Sequence, residues 1–471
     1  MDKKYYITTT LPYVNAEPHI GFALEIIQAD VLARYHALLG ENVVFNFGTD
    51  EHGQKIYQKA VGEGRDPQEY CDEYAAKFDA LKKALNLSYN RFIRTTDPHH
   101  TKAAQEFWKI CDKNGDIYKK LYKIKYCVGC ELEKTESDLV DGKCPLHPNL
   151  ELEIIEEENY FFKFSKYQKT LLDLYEKNPD FVIPKGKLNE IKTFVDNGLQ
   201  DFSISRLASK MPWGIPVPGD PTHVMYVWFD ALINYISTLG WPEDTKNYSD
   251  FWPGIQVAGK DNLRQQTATW QAMLASAKLP FSKQVFIHGF ITINGKKISK
   301  SLGNTVNPIE VAEKYGTDAL RYYLLAKINP VEDSDFSFEK FEGAYNGELA
   351  NGLGNLVSRV AKLCEKSSLE FKPTKLTEDT KIGNYLNNYK FDNALKTIWE
   401  EISQTDQFVN EEEPWKLSGD KLKSVLIHLV DHVRSIAFNL LPFMPETAEK
   451  IQKQFEGPII KSSAPLFPRL G

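Results

Sequence analysis

The opening of the chain constrains its fold most, because it reads as a strand, a helix and a second strand in immediate succession. YYITTT spans 5–10, a segment from Pro18 to Leu39 places Ile20, Ala23, Leu24, Ile27 and Val31 at helical spacing before a stop at Gly40, and VVFNF spans 43–47. Apolar residues three and four apart form one stripe on a helix, whereas short β-branched and aromatic runs suit a sheet. A helix between two strands makes the strands parallel neighbours. The expectation is an α/β fold with a Rossmann-type parallel sheet, which binds ligands beyond the carboxyl ends of its strands, where loops 11–18 and 48–53 fall.

A chain of 471 residues exceeds what one core organises, and at about 150 residues per domain it should form roughly three units. The first half of the parallel-sheet domain occupies 1–114. A connective insertion follows at 115–224, with a cysteine cluster and the Gly- and Pro-rich WGIPVPGDP. The strand-like MYVWF at 225–229 and VFIHGFITI at 285–293 predict that the sheet resumes over 225–290. A loop and linking subdomain spans 291–345, and 346–471 reads as a helical bundle. There Phe391, Leu395, Ile398 and Ile402 share one helical face, as do Leu422, Val425, Leu426, Leu429, Val433, Ile436 and Leu440.

With 42% apolar and 26% charged residues, no segment is forced to stay disordered. The start MDKKYYITTT lacks the apolar stretch of a secretory signal, and no uncharged run approaches membrane-spanning length, so a cytoplasmic protein without membrane contact is expected. At a net charge of −7, any nucleic-acid partner must meet a local basic patch.

Three of the six cysteines lie together: Cys127-x₂-Cys130 is followed after thirteen residues by Cys144-x₂-His147, while Cys71, Cys111 and Cys364 are scattered. Four soft or borderline ligands in this spacing suit tetrahedral Zn²⁺ in a closed, structural knuckle.

Two further segments carry chemistry. At the first strand-to-helix junction stands LPYVNAEPHIGF, residues 11–22, where Pro18 suits a first helical turn. His19 falls at the positive end of the helix, able to donate to a nucleotide phosphate, and Gly21 leaves room for a flat base. Alone, His19 reads more often as a plain surface or capping residue. Downstream comes NGKKISKSLGN, 294–304, a basic loop between glycines that permit movement. Two lysines brought onto a triphosphate as it reacts would stabilise the departing pyrophosphate.

His-Ile-Gly near the N-terminus with Lys-Ile-Ser-Lys-Ser beyond a split sheet resembles the signature pair of class I aminoacyl-tRNA synthetases. The likeness narrows to the methionyl-tRNA synthetase family, because TTTLPYVNAEPHIG, FGTDEHGQKI, the cysteine knuckle, DFSISR, WGIPVP, YVWFDALINY, GKD, KKISKSLGN and YGTDALRYYLL occur in that order over essentially the whole chain. The resemblance implies a methionine pocket at Leu11, Tyr13, Asp50, Arg206, Trp228, Ala231, Leu232 and Tyr235, in which aromatic faces take the thioether and Asp50 the ammonium. It implies ATP binding by Tyr13, His19, Gly21, His52, Gly259, Asp261, Lys297, Ser299 and Lys300, with Lys260 in the same GKD turn. His19, Lys297 and Lys300 would be catalytic, with Mg²⁺ on the phosphates, as methionine attacks the α-phosphate of ATP and the acyl group then passes to the terminal ribose of tRNA(Met). Asn355, Arg359 and Trp415 match the family's anticodon readers; taken singly, Trp415 also reads as bundle core and Arg359 as a surface ion pair.

The pattern departs from the family at Phe22, where a second histidine is usual, at Gln265 and Gln266, where an aromatic and a histidine are common, and conservatively at Ile298. A monomer is expected, since the chain ends at Gly471 soon after the bundle. The reading of a different class is a non-catalytic tRNA-binding paralogue, motivated by those departures and opposed by the intact lysine loop. A synthetase for another apolar amino acid is disfavoured by the lack of a large editing insertion.

Overall fold

β1 (Lys4–Thr9) is buried from Tyr5 onward and lies inside a six-stranded sheet with β2 (Asn42–Thr49), β3 (Arg91–Arg94), β4 (Val182–Ile183), β5 (Ile255–Gly259) and β6 (Gln284–His288). The spatial order is β3-β2-β1-β5-β6-β4. β1 runs parallel to both β2 and β5, β2 to β3, and β6 to β4. The near-continuous burial of β2 and β5 is what a sheet covered on both faces requires. Strand order reverses at β1, so the segments leaving β1 and β5 flank the switch point at the carboxyl edge. The computed structural model describes residues 3–130, 132–134, 138–298, 304–374 and 376–471.

The chain divides into two units. The first comprises Met1–Pro18, Asn42–Ala80 and Tyr89–Ile287. Besides the parallel sheet it holds the insertion, in which Ile117–Cys127 pairs antiparallel with Glu153–Phe162 in a long ribbon that carries the cysteine cluster at its far end. A smaller antiparallel sheet joins Ser205–Leu207, Pro216–Val217 and Asp220–Met225.

The second unit comprises His19–Glu41, Leu81–Ser88 and His288–Gly471. It contains the helix Ile20–Leu38, a small sheet of Ile291–Ile293, Lys296–Lys297 and Ser334–Phe336, and the helices of the C-terminal bundle, among them Asn355–Ser367, Phe391–Glu412 and Gly419–Leu440. The two predicted stripes of the bundle are buried except for half-buried Leu422. Arg321 is the polar centre of this unit. Fully buried, it donates to the carbonyls of Leu85 (3.1 Å), Pro442 (3.0 Å) and Phe443 (2.8 Å) and pairs with Asp30 at 2.8 Å. Asp30 also accepts from Arg34 (2.8 Å) and from the Ser88 amide and hydroxyl. Burial pushes the Asp30 carboxyl up, and Arg321, Arg34 and Ser88 outweigh it, holding the group below the ordinary carboxylate range.

Three expectations are corrected. MYVWF is not a strand of the parallel sheet: Asp220–Met225 is antiparallel, and the chain turns helical at Val227–Ala231. A short apolar run has the same periodicity in a buried strand and a buried helix. The sheet resumes instead at β5, IQVAG. The run at 285–293 is two strands in different sheets, divided at Gly289, where an added Cβ would stand 2.2 Å from the Glu332 backbone. The first helix starts at Ile20 with His19 as its cap, so Pro18 precedes the helix rather than opening its first turn.

Candidate active site

At the carboxyl edge of β1 and β2, the Asp50 amide donates to Pro12 O (3.0 Å) and the Val14 amide to Asp50 O (3.3 Å). These bonds make Tyr13 and Asp50 partners in a short parallel bridge that prolongs the β1–β2 pairing, with Leu11 and Tyr13 half-buried and Asp50 buried. The next residue, Glu51, is fully buried and fastens the loop from beneath. Its carboxylate accepts from Arg94 Nε (2.6 Å) and Nη2 (2.9 Å), from Thr49 and from Thr96, while its carbonyl accepts from Trp213 Nε1 at 2.6 Å.

His52 then meets Asp230. The Asp230 carboxylate accepts from His52 Nδ1 (2.6 Å) and His100 Nε2 (2.8 Å), and His100 Nδ1 lies 2.8 Å from Ser237 Oγ. Burial drives the Asp230 carboxyl up, and the two histidines more than offset it, so this fully enclosed group stays below the usual range. Its charge is confined between two imidazoles, which fixes the His52 ring and leaves Nε2 as its second nitrogen. Neither His100 nor Asp230 was picked out from sequence; Asp230 lies inside the YVWFDALINY motif, which gave the available signal.

Arg206 is buried between the rings of Tyr226 (4.5 Å) and Tyr126 (5.2 Å), and its Nη1 donates to Ser203 Oγ and Ser205 O, each at 2.8 Å. One cavity holds Arg206 with Gly53, Gln54 and Tyr226, joining it to the loop that carries Asp50 and His52. A second cleft is lined by Ser203, Arg206, Tyr226, Trp228, Gln265 and Thr269. Trp228, Ala231, Leu232 and Tyr235 follow a helical i, i+3, i+4, i+7 spacing, and the last three are buried. The Trp228 indole N–H and Gln265 Oε1 are buried without a hydrogen-bond partner among the described residues.

Gln265 begins a π-helical turn, Gln265–Thr269. Gln266 faces away into a buried amide network: its Oε1 accepts from Gln256 Nε2 (3.0 Å), and Gln256 Oε1 accepts from Ser282 Oγ (2.6 Å), so its role is to hold β5. Gly259 ends β5, and the turn Lys260–Asn262 presents Asp261 at the surface.

The knuckle residues converge. Cys130 Sγ lies 3.4 Å from Cys144 Sγ and 3.2 Å from His147 Nδ1, and all four ligand atoms of Cys127, Cys130, Cys144 and His147 fall within 4.8 Å of one another. Zinc–ligand bonds of about 2.0–2.3 Å set tetrahedral ligands roughly 3.3–3.8 Å apart, so the donor set fits that ion. Gly129 is required here, since an added Cβ would stand 2.6 Å from the His147 ring.

In the second unit, His19 Nδ1 accepts from the Gly21 amide at 3.1 Å. An imidazole that accepts at Nδ1 carries its proton on Nε2, leaving an N–H donor at the helix N-terminus. A Cβ on Gly21 would stand 2.9 Å from this ring, so the glycine makes room for His19 itself. Phe22 packs on the same ring, with centroids 4.4 Å apart. Lys297 lies in the strand Lys296–Lys297, while its side chain and residues Ser299 and Lys300 lie outside what is described.

In the bundle, Asn355 is exposed at the start of its helix, and Arg359 donates to Asp406 (2.5 Å) and Asn410 (2.7 Å). Trp415 is 55% exposed, which removes the reading of it as bundle core. No helix among the described residues is long and apolar enough to cross a membrane.

Residues 5–151 and 137–361 match the family described as tRNA synthetases class I (M). The chain is 42% identical to methionine–tRNA ligase of Thermotoga maritima over 95% of its length and 74% of the relative's. With methionine–tRNA ligase of Thermosynechococcus vestitus it shares 41% identity over 100% of this chain and 93% of the other. The solved structure of Mycobacterium tuberculosis methionyl-tRNA synthetase in complex with methionyl-adenylate superimposes with a TM-score of 0.93 at 34% identity, covering 99% of this chain and 100% of that one. This chain belongs to the methionine branch of the class I tRNA synthetases.

Proposed function

We propose that the chain activates L-methionine with ATP, forming methionyl-adenylate and pyrophosphate, and transfers the methionyl group to the 3′-terminal ribose of tRNA(Met). It is a methionine–tRNA ligase. The observation that carries this reading is agreement over nearly the whole of this chain with relatives of that name, together with a structural match to one that holds methionyl-adenylate.

The following roles are part of this reading, and the placement of the described residues supports them. Asp50, held beside Tyr13, takes the substrate ammonium, and the aromatic cleft at Trp228 receives the thioether, a soft group that packs well on ring faces. His19 offers its Nε2–H, and His52 its outer nitrogen, to the nucleotide phosphates. Gly259 and Asp261 border the ribose, where the exposed Asp261 carboxylate accepts from a hydroxyl. Lys297 and Lys300 stabilise the pyrophosphate as it departs, with Ser299 beside them. Mg²⁺ bound with ATP supplies further neutralisation of the triphosphate.

Cys127, Cys130, Cys144 and His147 hold a structural Zn²⁺ that orders the end of the insertion. Asn355, Arg359 and Trp415 read the anticodon, with Trp415 offering a face for stacking. The enzyme works as a monomer in the cytoplasm; a stable dimer in size-exclusion chromatography would overturn the first of these.

The test is ATP–pyrophosphate exchange with methionine, run beside leucine, isoleucine, valine and cysteine. Exchange with methionine alone is expected. Exchange with another amino acid would assign a different substrate, and none at all would mark a protein that binds tRNA without activating an amino acid.

A further inference from the structure

Glu25 lies in the second turn of the helix Ile20–Leu38, on the chain that His19 caps, and its side chain is buried. Its Oε2 stands 2.9 Å from Nε2 of His288, the last residue of β6, while His288 Nδ1 stands 2.7 Å from Gly289 O. Both ring nitrogens therefore face acceptors. The ring is an imidazolium against a carboxylate, or Glu25 carries the shared proton and donates it to Nε2; in either state one proton joins helix to strand. With both side chains under a tenth exposed, water does not compete for the bond.

A second bond closes the arrangement from the other side: the Ile20 amide, the first of the helix, donates to Val306 O at 3.0 Å. The segment between these attachments, 289–305, includes Lys297, Ser299 and Lys300. Both its ends are thus fastened to the one helix that presents His19, the first end by the Glu25–His288 pair and the second by the Ile20 amide. Gly289 adds to the rigidity at the first end, because the Glu332 backbone lies where any side chain would project.

We propose that Glu25 and His288 are positioning residues for adenylate formation: the buried pair holds the start of the chain that leads to the lysine segment against the His19 helix. Their side chains are turned to each other, so their part in the reaction is to hold the groups around them. The inference rests on the methionine activation proposed above, and its effect falls on the chemical step rather than on methionine binding, because Asp50 and the cleft lined by Arg206 and Trp228 belong to the other unit.

The experiment compares kcat and KM for methionine in ATP–pyrophosphate exchange for the wild type, Glu25→Met, Glu25→Gln, His288→Leu and the Glu25→Met/His288→Leu double variant, each checked for folding by circular dichroism. Met fills the volume of Glu25 and removes the acceptor, so that variant is chosen to fold. Gln keeps the connection, its amide N–H donating to a neutral His288 Nε2.

The expected result is a kcat lowered about 10²-fold in Glu25→Met, the order of loss when reacting groups shift by an ångström, with KM for methionine within about twofold of wild type. Glu25→Gln should recover most of the rate, and the double variant should be no slower than the worse single one, as for residues acting as a unit. A folded Glu25→Met with wild-type kcat would overturn the proposal. So would a Glu25→Gln as slow as Glu25→Met, or a loss that appears in KM for methionine. A wild type without methionine-dependent exchange would instead remove the activity itself, and the pair's role with it.

Discussion

Asp230 and His52 stand 2.6 Å apart, and the opposite oxygen of the same carboxylate takes His100 at 2.8 Å, so a single buried charge orients two imidazoles. Asp230→Asn replaces one acceptor oxygen by an N–H₂ group and forces one histidine to change tautomer or lose its bond. The expected cost is roughly 1–3 kcal/mol of stability, the price of one unpaired buried polar group. Exchange activity should fall through kcat/KM for ATP, with KM for methionine nearly unchanged. Urea unfolding and exchange kinetics on the same preparation check both, and a rise confined to KM for methionine would remove His52 from the nucleotide side of the site.

Asp30 supplies the clearest pH dependence, since its partners Arg321 and Arg34 do not titrate in the accessible range. Its carboxyl is held below its unfolded value. The stabilisation is therefore fully present above the unfolded carboxylate pKa of about 3.9 and is lost as pH falls through the folded one. Asp30→Asn leaves the Arg321 guanidinium buried without its counter-charge, and a loss of about 3–5 kcal/mol at pH 7 is expected. Denaturant unfolding from pH 7 down to pH 3 should show a weaker acid dependence in the variant than in the wild type; parallel curves would contradict the assignment.

The metal knuckle can be tested without touching a ligand. Gly129→Ala introduces a Cβ 2.6 Å from the His147 ring, which must move away from the three thiols. Purified wild type should contain one zinc per chain, and the variant should bind it about 10–100-fold more weakly, the usual effect of disturbing what orients a ligand. Competition with a chromogenic chelator gives the affinity. Equal affinity in the two proteins would take His147 out of the ligand set.

Trp415 offers an exposed ring on the bundle, next to Pro414 and between two long helices. Trp415→Ala should leave methionine-dependent exchange at the wild-type rate, because no tRNA takes part in it. Aminoacylation should weaken through KM for tRNA, by about 1–3 kcal/mol if one base stacks on the ring. Measuring both reactions on one preparation separates the steps, and an unchanged aminoacylation KM would exclude Trp415 from the anticodon site.

Much of this was legible locally. The strand, helix and strand of the first fifty residues appear within a residue or two of their expected limits, because backbone hydrogen bonding and a 3.6-residue stripe are properties of contiguous sequence. Cys127, Cys130, Cys144 and His147 meet as their spacing led one to expect, and the bundle helices bury the faces their periodicity marked. Ordered motifs over the whole length identified the family, since reacting groups tolerate few substitutions.

Other features exist only once distant segments meet. Nothing near residue 100 or 230 announces that His100 and Asp230 will enclose His52, and nothing in IQVAG announces that it will lie against β1. The apolar run at 225–229 became a helix and the run at 285–293 split at Gly289, because burial of short apolar segments is decided by what packs on them. Sequence by itself determined most of the elements, the family and the cluster of three cysteines and a histidine, all encoded in residue type and spacing. Tertiary structure decided which buried charges pair, as with Asp230 between two histidines and Arg321 on Asp30, because a charge taken out of water must find its partner wherever the fold brings one within hydrogen-bonding reach.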